Sequence, residues 1–380
     1  MFGRKTDIKK VAHKFRLYES KSKCKFMDSL LRTTGKMWNM ALSAIKEYYK
    51  KTGKYLSPKE VYAVLKKERE RNEYWQMVGA QTMQEIVQRL DVAYQRFFKK
   101  LAKRPPKFKP AIYFKSLVLK DAGYKLNSNS LFFAYKNNGK RALKRLRYIN
   151  SRGLNYFHKN NKERNIFSVR IKRDLHGRYW VIFTVAEPKQ TYKTRKTRGA
   201  IGGDFGLKTY MTISDGKQFR EIDNPQFLKS DLGRLKEKSK AHSRKKKGSK
   251  NRKKSKKELG KVYEDISNRR SDWQWKLAHE LCREFKFIGL EDLNMKAMQR
   301  VWGRKVSDLG HSKFVHKLKH VASKYGTVIQ EVDRFYASSK TCSKCGNKKK
   351  DLSLKQRTYT CTKCGYSIDR DRNAAINIRK

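Results

Sequence analysis

Two Cys-x2-Cys pairs constrain this chain more tightly than any other feature. Cys342 and Cys345 form the first, and Cys361 and Cys364 the second, with fifteen residues between the pairs. A glycine follows the second cysteine of each pair, Gly346 and Gly365. Each turn aims two sulfurs at one point, and four thiolates so arranged suit one structural zinc ion in a tetrahedral site. A disulfide pair or a redox Cys-x2-Cys would be the competing reading, and doubling of the motif argues against both. On its own the quartet establishes only a small stapled ribbon, a device found in many nucleic-acid proteins. The remaining cysteines, Cys24 and Cys282, stand alone in helix-like stretches and are expected to be buried thiols.

Charge narrows the partners. Among 380 residues, 95 Lys and Arg oppose 34 Asp and Glu, a formal charge of +61. Such a chain repels itself unless a polyanion lies beside it. Nucleic acid fits best, because neutralising phosphates releases counterions and rewards many cations together. A basic structural protein such as a ribosomal component is the alternative. No long apolar run suggests a membrane span, and Met1–Lys10 does not resemble a signal peptide. A reducing compartment, and hence a cytoplasmic, nucleoid-associated location, is the expectation.

Periodicity changes along the chain. Residues 9–18 alternate, with Val11, His13, Phe15 and Leu17 on one side, and predict a strand. From Cys24 the spacing turns helical, through Phe26, Leu30, Met37, Ala41, Ile45 and Tyr48. A second helix runs through Met83, Ile86, Val87, Leu90, Tyr94, Phe97 and Leu101. The prolines of Arg104–Pro110 end this helical region. Strands are then predicted at Tyr113–Leu119, Ser130–Tyr135, Ile166–Ile171 and Tyr179–Val185, the last two joined by a turn at His176-Gly177. Asn137–Arg152, basic and polar, is expected to be a loop or short helix. A third region opens with short apolar strands at Ala200–Asp204 and Thr209–Ile213. Arg244–Lys257 follows, ten of its fourteen residues basic. A disordered tract or a solvated helix face is one reading of it. A basic helical hairpin gripping a nucleic-acid backbone is preferred, because the tract leads into the amphipathic run Leu259, Val262, Ile266, Trp273, Leu277 and Leu281. A strand at Phe287–Leu290, a helix at His311–Lys324 and a strand at Thr327–Val332 complete the region.

Three carboxylates stand out within it. Asp204 ends one short strand and Glu291 another. In each, the residue two before the acid is glycine, Gly202 and Gly289, and shares its face. The inference is a cleared face beside each acid where a metal and a phosphate could sit. In Asp369–Ile378, read as a helix, Asp371, Ala375 and Ile378 fall on one stripe, so Asp371 is expected to face inward. The competing role for Asp369 or Asp371 is a helix N-cap, and a lone strand-end acid is more often merely solvated. Three acids on three core elements of a strongly basic chain favour a magnesium site, where a pair of ions can activate water for phosphodiester cleavage.

The order strand–Asp, hairpin, basic helices, strand–Glu, ribbon, Asp–helix resembles the split RuvC-type nuclease of TnpB proteins, which mobile insertion sequences encode and which are related to small type V CRISPR effectors. The matching stretches are GGDFGLKTYMTISDG (202–216), SRKKKGSKNRKK (243–254), IGLEDLNMKAM (288–298), SSKTCSKCG (338–346) and CTKCGYSIDRDRNAAINI (361–378); KFRLY (14–18) matches more weakly. Gly203 departs from the pattern, where a branched apolar residue is usual. The resemblance implies an α+β multidomain protein. A β-barrel wedge domain (1–19 and 106–195) would carry a helical recognition insert (20–105). An RNase H-like RuvC nuclease (196–335 and 369–380) would hold an inserted zinc ribbon (336–368) that binds target nucleic acid. It implies Asp204, Glu291 and Asp371 as catalytic magnesium ligands, two Mg2+ ions, one Zn2+, and a guide RNA from the mobile element. It further implies cleavage of double-stranded DNA beside a short adjacent motif. Arg244, Lys245, Lys246, Lys247, Lys250, Arg252, Lys253 and Lys254 are then the candidate nucleic-acid contacts. No second, His-rich nuclease motif is visible, so one site is expected to cut both strands in turn. An RNA-guided DNA-binding protein without cleavage, a structural zinc-ribbon RNA-binding protein and a small type V CRISPR effector are the alternatives.

Overall fold

The computed structural model describes residues 8–120, 123–127, 129–137, 140–151, 166–188, 198–353 and 356–380. The chain divides into two compact units, Met1–Lys189 and Gln190–Lys380. The expected boundary at 195/196 lies outside the described residues.

In the first unit, strand β1 (Ile8–Arg16) alternates as its sequence dictates, with His13, Phe15 and Leu17 buried and Lys14 and Arg16 exposed. Helix α1 (Lys21–Thr52) starts where the Ser20 side chain accepts from the Lys23 amide. It stops at Gly53, whose positive φ of 67° turns the chain out of the helix. Helix α2 (Pro58–Arg71) begins with a capping box between Ser57 and Glu60. The short α3 (Glu73–Gln76) and α4 (Ala80–Phe98) complete the helical region. Met83, Ile86, Val87, Leu90 and Tyr94 are buried on α4, whereas Leu101 lies beyond the helix and is 68% exposed. The expected stripe therefore stops a turn early.

The strands that follow differ from expectation in two places. Ala111–Tyr113 form a 3-10 turn, so β2 is only Ser116–Leu119. After β3 (Tyr124–Asn127) and β4 (Ser130–Asn137), the segment expected to be a loop or helix is strand β5 (Lys140–Arg147). It pairs antiparallel with β4 along its whole length. Its cations mask the pattern, because a lysine or arginine occupies five of its eight positions and Leu146 alone is fully buried. Strands β6 (Ile166–Arg173) and β7 (Tyr179–Pro188) form the hairpin expected around Gly177. One sheet runs β1-β7-β6-β2 and another β3-β4-β5. They meet along Leu17 and Tyr148, where Phe15, Tyr148 and Phe183 pack with ring centroids 5.5 to 5.9 Å apart.

The second unit is built on a mixed sheet of order β10-β9-β8-β11-β12. Its strands are β8 (Arg198–Phe205), β9 (Thr209–Ser214), β10 (Phe219–Asp223), β11 (Phe285–Glu291) and β12 (Val328–Val332). β8, β11 and β12 are parallel neighbours, and β9 and β10 extend the sheet antiparallel. Between β10 and β11 come α5 (Phe227–Ser230), α6 (Leu232–Ser243) and the 35-residue α7 (Lys250–Glu284). α6 and α7 form the expected basic hairpin. Helices α8 (Met295–Leu309) and α9 (His311–Tyr325) follow β11. The apolar faces of α7 and α9 close the core against Ile201, Met211, Ile288 and Leu290. Cys282 lies fully buried there, while Cys24 in α1 is only half-buried. The ribbon hairpin β13 (Thr358–Thr360) and β14 (Ser367–Asp369) runs straight into α10 (Arg370–Arg379).

α10 lies on the sheet at β8, β9 and β11, and it corrects the reading of the glycines. Gly202 and Gly289 are direct partners in the parallel β8–β11 ladder. A Cβ on Gly202 would lie 2.1 Å from the Ala375 carbonyl oxygen, and one on Gly289 2.5 Å from the Ile378 carbonyl oxygen. The face is cleared for a helix backbone, not for a phosphate. On Gly203, a Cβ would come within 2.9 Å of Met211 Sδ and 3.3 Å of Leu290, which already fill the room a branched residue would take.

Candidate active site

Asp204 and Glu291 occupy the C-terminal ends of adjacent parallel strands. The ladder pairs Gly203 with Leu290, and one further step sets the two acids side by side. In open α/β sheets this end of the strands is where ligands bind. Asp371 arrives from α10, whose approach the paired glycines permit. The helix start separates the two candidate aspartates. Asp369 is the N-cap, its side chain accepting from the amides of Asp371 and Arg372. Asp371 sits in the first turn, free of capping. Ala375 and Ile378 on its stripe are buried, and Asp371 itself is 28% exposed.

The charges of the other two acids act on Asp204. Burial raises the Asp204 carboxyl well above the usual range, and the charges of Glu291 and Asp371 raise it further; Arg370 opposes them. Burial also raises Glu291, against a hydrogen bond donated by the Ser338 hydroxyl. Asp371 has two flanking cations, Arg370 Nε at 3.4 Å and Arg357 Nη1 at 3.6 Å. Yet Asp204 and Glu291 both remain partly open to solvent. Hard oxygen donors that repel one another and stay reachable from water fit a divalent cation such as magnesium. A cleft of about 400 Å³ opens beside Glu291, lined among others by Asp292, Arg334, Ser338, Lys340 and Lys348.

The ribbon is the tighter donor set. The four sulfurs lie within 4.8 Å of one another, and among the described residues no other group of three or more His, Cys, Asp or Glu brings its donor atoms this close. Cys342 and Cys364 are 3.8 Å apart at sulfur, Cys345 and Cys361 3.6 Å. A tetrahedron with Zn–S bonds of ~2.3 Å has edges of about 3.8 Å, whereas a disulfide requires about 2.05 Å. The geometry fits zinc. The backbone amides of Cys364 and Lys363 lower the Cys361 thiol toward its thiolate form. Cys342, Tyr359 and Cys361 form a small buried core of their own.

The basic candidates divide in two. Arg244, Lys245, Lys246, Lys247, Lys250, Lys253 and Lys254 are exposed along the α6–α7 turn and the start of α7. Arg252 instead turns inward, donating to the carbonyls of His242, Ser243 and Lys245 at 3.2, 3.4 and 2.6 Å. It caps the end of α6. Sequence reasoning did not single out Ser338, Asn373 or Asn377. The repeated polar positions of α10, four residues apart and amid alanines, are the signal that could have found the asparagines.

Comparison with known proteins supports the same regions. Residues 182–302 match the OrfB_IS605 family model, described as a probable transposase. Residues 311–378 match the Cas12f1-like TNB domain. The first span holds Asp204 and Glu291, the second Asp371 and the four cysteines. A Streptomyces pristinaespiralis protein, provisionally named an RNA-guided DNA endonuclease, is 35% identical over 56% of this chain and 52% of its own length. TnpB-like protein L79 of Acanthamoeba polyphaga mimivirus is 30% identical over 56% of this chain and 43% of its own. InsQ of Escherichia coli K12, with the same provisional name as the first, is 26% identical over 79% of this chain and 73% of its own. The chain spans about half the length of the first two relatives. Two solved structures share the mixed α+β fold. The Cas12f1–sgRNA–target DNA complex aligns with a TM-score of 0.62 at 16% identity, covering 95% of this chain and 83% of that one. The mini-RNA-guided endonuclease CRISPR-Cas_phi3 aligns at 0.55 and 11%, covering 98% and 92%. By sequence the chain is similar to TnpB-like proteins, and both family matches fall in the part that carries the three acids and the four cysteines.

Proposed function

We propose that this protein is an RNA-guided endonuclease that cuts double-stranded DNA beside a short adjacent motif. The observation that supports the reading is that Asp204 and Glu291 end adjacent parallel strands, with Asp371 on a helix near enough for its charge to act on Asp204. The provisional names of the curated relatives supply the guidance by RNA. On this reading the second unit is an RNase H-like RuvC nuclease with an inserted zinc ribbon that binds target nucleic acid. The first unit is a wedge-type β-barrel carrying a helical recognition insert.

Asp204, Glu291 and Asp371 would hold magnesium, with two ions expected. Magnesium held there would supply Lewis acidity for phosphodiester hydrolysis. The protein's residues do the rest. Asp204 stays deep and fixed at its strand end, Ser338 holds Glu291, and Arg357 and Arg370 steady Asp371. The exposed lysines of the α6–α7 hairpin neutralise phosphates of guide or target. Among the described residues no helix is long and apolar enough to cross a membrane, and the partners proposed are the guide RNA and the target DNA.

The test is cleavage of a matched duplex in Mg2+ by the protein with its co-purified RNA. Asp204→Ala should lower cleavage by at least about 10³-fold while RNA still co-purifies. Unchanged cleavage removes the proposed site. Sequencing that RNA distinguishes a mobile-element end from a CRISPR repeat array, and its absence removes guidance.

A further inference from the structure

One set of hydrogen bonds joins the first cysteine knuckle to Glu291 and to the helix that carries Asp371. Ser338, 4% exposed, donates its hydroxyl to Glu291 Oε1. Its carbonyl accepts from Asn377 Nδ2 at 2.8 Å. The same amide donates to the Thr341 carbonyl at 2.6 Å. Asn373 Nδ2 reaches that carbonyl too, at 2.7 Å, while Asn373 Oδ1 accepts the Ser343 amide at 3.0 Å. Thr341 and Ser343 flank Cys342. Lys380 closes the contact from the end of α10, donating to the Ser343 carbonyl at 2.6 Å.

The asparagines are almost wholly buried, 0% and 3% exposed. A buried amide is costly unless it is bonded, and these are. Packing alone would be served by an apolar residue in their place. What the amides add is register. They stand four residues apart on α10 and fix the helix against residues 338–343 at two points. Asp371 lies two residues before Asn373, so the same clasp fixes its position. Glu291 is fixed from the other side by Ser338. Two metal-binding acids on separate elements are thus referred to one short loop, and that loop is folded by the cysteines.

We propose that Ser338, Asn373 and Asn377 are positioning residues that pass the geometry of the zinc knuckle to the divalent-cation ligands, Glu291 through the serine hydroxyl and Asp371 through helix α10. The inference rests on the reading of the three acids as metal ligands. Outer partners of this kind typically alter metal affinity by about 10- to 100-fold when removed.

The experiment is a Mn2+ titration of the full chain with its co-purified RNA, following free Mn2+ by its electron paramagnetic resonance signal. Zinc content and melting temperature are measured alongside. Ser338→Ala and Asn377→Ala are expected to weaken Mn2+ binding roughly 10-fold with one zinc retained, and excess Mn2+ should recover part of the cleavage. Asp204→Asn is the reference. If it binds Mn2+ like the unaltered protein, the metal-site reading itself fails. If it loses the ion while both positioning variants bind normally, the clasp only supports the fold and the inference is overturned. Should Asn377→Ala fail to fold, Ser338→Ala, which removes a single hydroxyl, decides the matter alone.

Discussion

Gly202 meets the backbone of Ala375 so closely that a Cβ on the glycine would lie 2.1 Å from the Ala375 carbonyl oxygen. No side chain can move aside there, because both surfaces are main chain. Gly202→Ala should therefore push α10 off the sheet and carry Asp371 with it. Overpacking of this kind costs about 1–3 kcal/mol, and in a unit of this size each kcal/mol lowers the melting temperature by roughly 2–4 °C. Thermal unfolding should show that fall together with loss of cleavage, although no acid has been altered. A variant that melts and cuts like the original would mean that α10 does not need this approach.

Those glycines also mark how far the sequence could be read. Strand periodicity put Gly202 on the face of Asp204 and Gly289 on the face of Glu291; that the two glycines are neighbours in one ladder came from the fold. What occupies the face depends on where residues 370–379 return, 81 to 90 residues after Gly289, and no local pattern encodes that. The cysteine spacing carried its own geometry, so the sulfur tetrahedron was legible in full. Strand β5 was not, because the cations at five of its eight positions conceal the alternation that buries Leu146. Ser338, Asn373 and Asn377 escaped notice because a buried amide and a solvated one look alike until the surrounding elements are in place.

Asp204 should stabilise the protein more as an amide than as an acid when magnesium is absent. Burial and the charges of Glu291 and Asp371 raise its folded pKa above the unfolded value of about 3.9. A group raised in this way binds more protons in the native state, so its contribution is present at low pH and is lost as pH rises through the folded pKa. In magnesium-free, zinc-loaded protein, Asp204→Asn should melt higher than the original at pH 7 and 8, with the difference vanishing near pH 4. Added Mg2+ should raise the melting temperature of the original alone. An amide variant that melts lower at every pH would show that the carboxylate is not held against repulsion.

The ribbon should bind one metal ion per chain and need it to fold. Replacing zinc by cobalt should give the intense visible absorption of a tetrahedral thiolate site, and Cys345→Ser should weaken and shift it. Because β14 runs directly into α10, a strong zinc chelator should abolish cleavage and unfold part of the second unit, whereas a magnesium-selective depletion should abolish cleavage only. Full activity in zinc-free protein would separate the ribbon from the acids.

Arg252 and its neighbours Lys253 and Lys254 should behave differently despite equal charge. Arg252 donates to three carbonyls at the end of α6, so Arg252→Ala should lower the melting temperature by removing this side-chain cap, and Arg252→Lys should recover little, lacking the forked donors. Lys253 and Lys254 are exposed on α7. Changing both to Ala should leave melting unaltered and weaken nucleic-acid binding. The slope of log affinity against log salt should become shallower by about 0.7 per lost contact if the partner is single-stranded and about 0.9 if it is duplex. The slope therefore also reports which kind of strand the hairpin grips. An unchanged slope in the double variant, measured from 50 to 200 mM salt, would show that the start of α7 faces solvent and not a phosphate backbone.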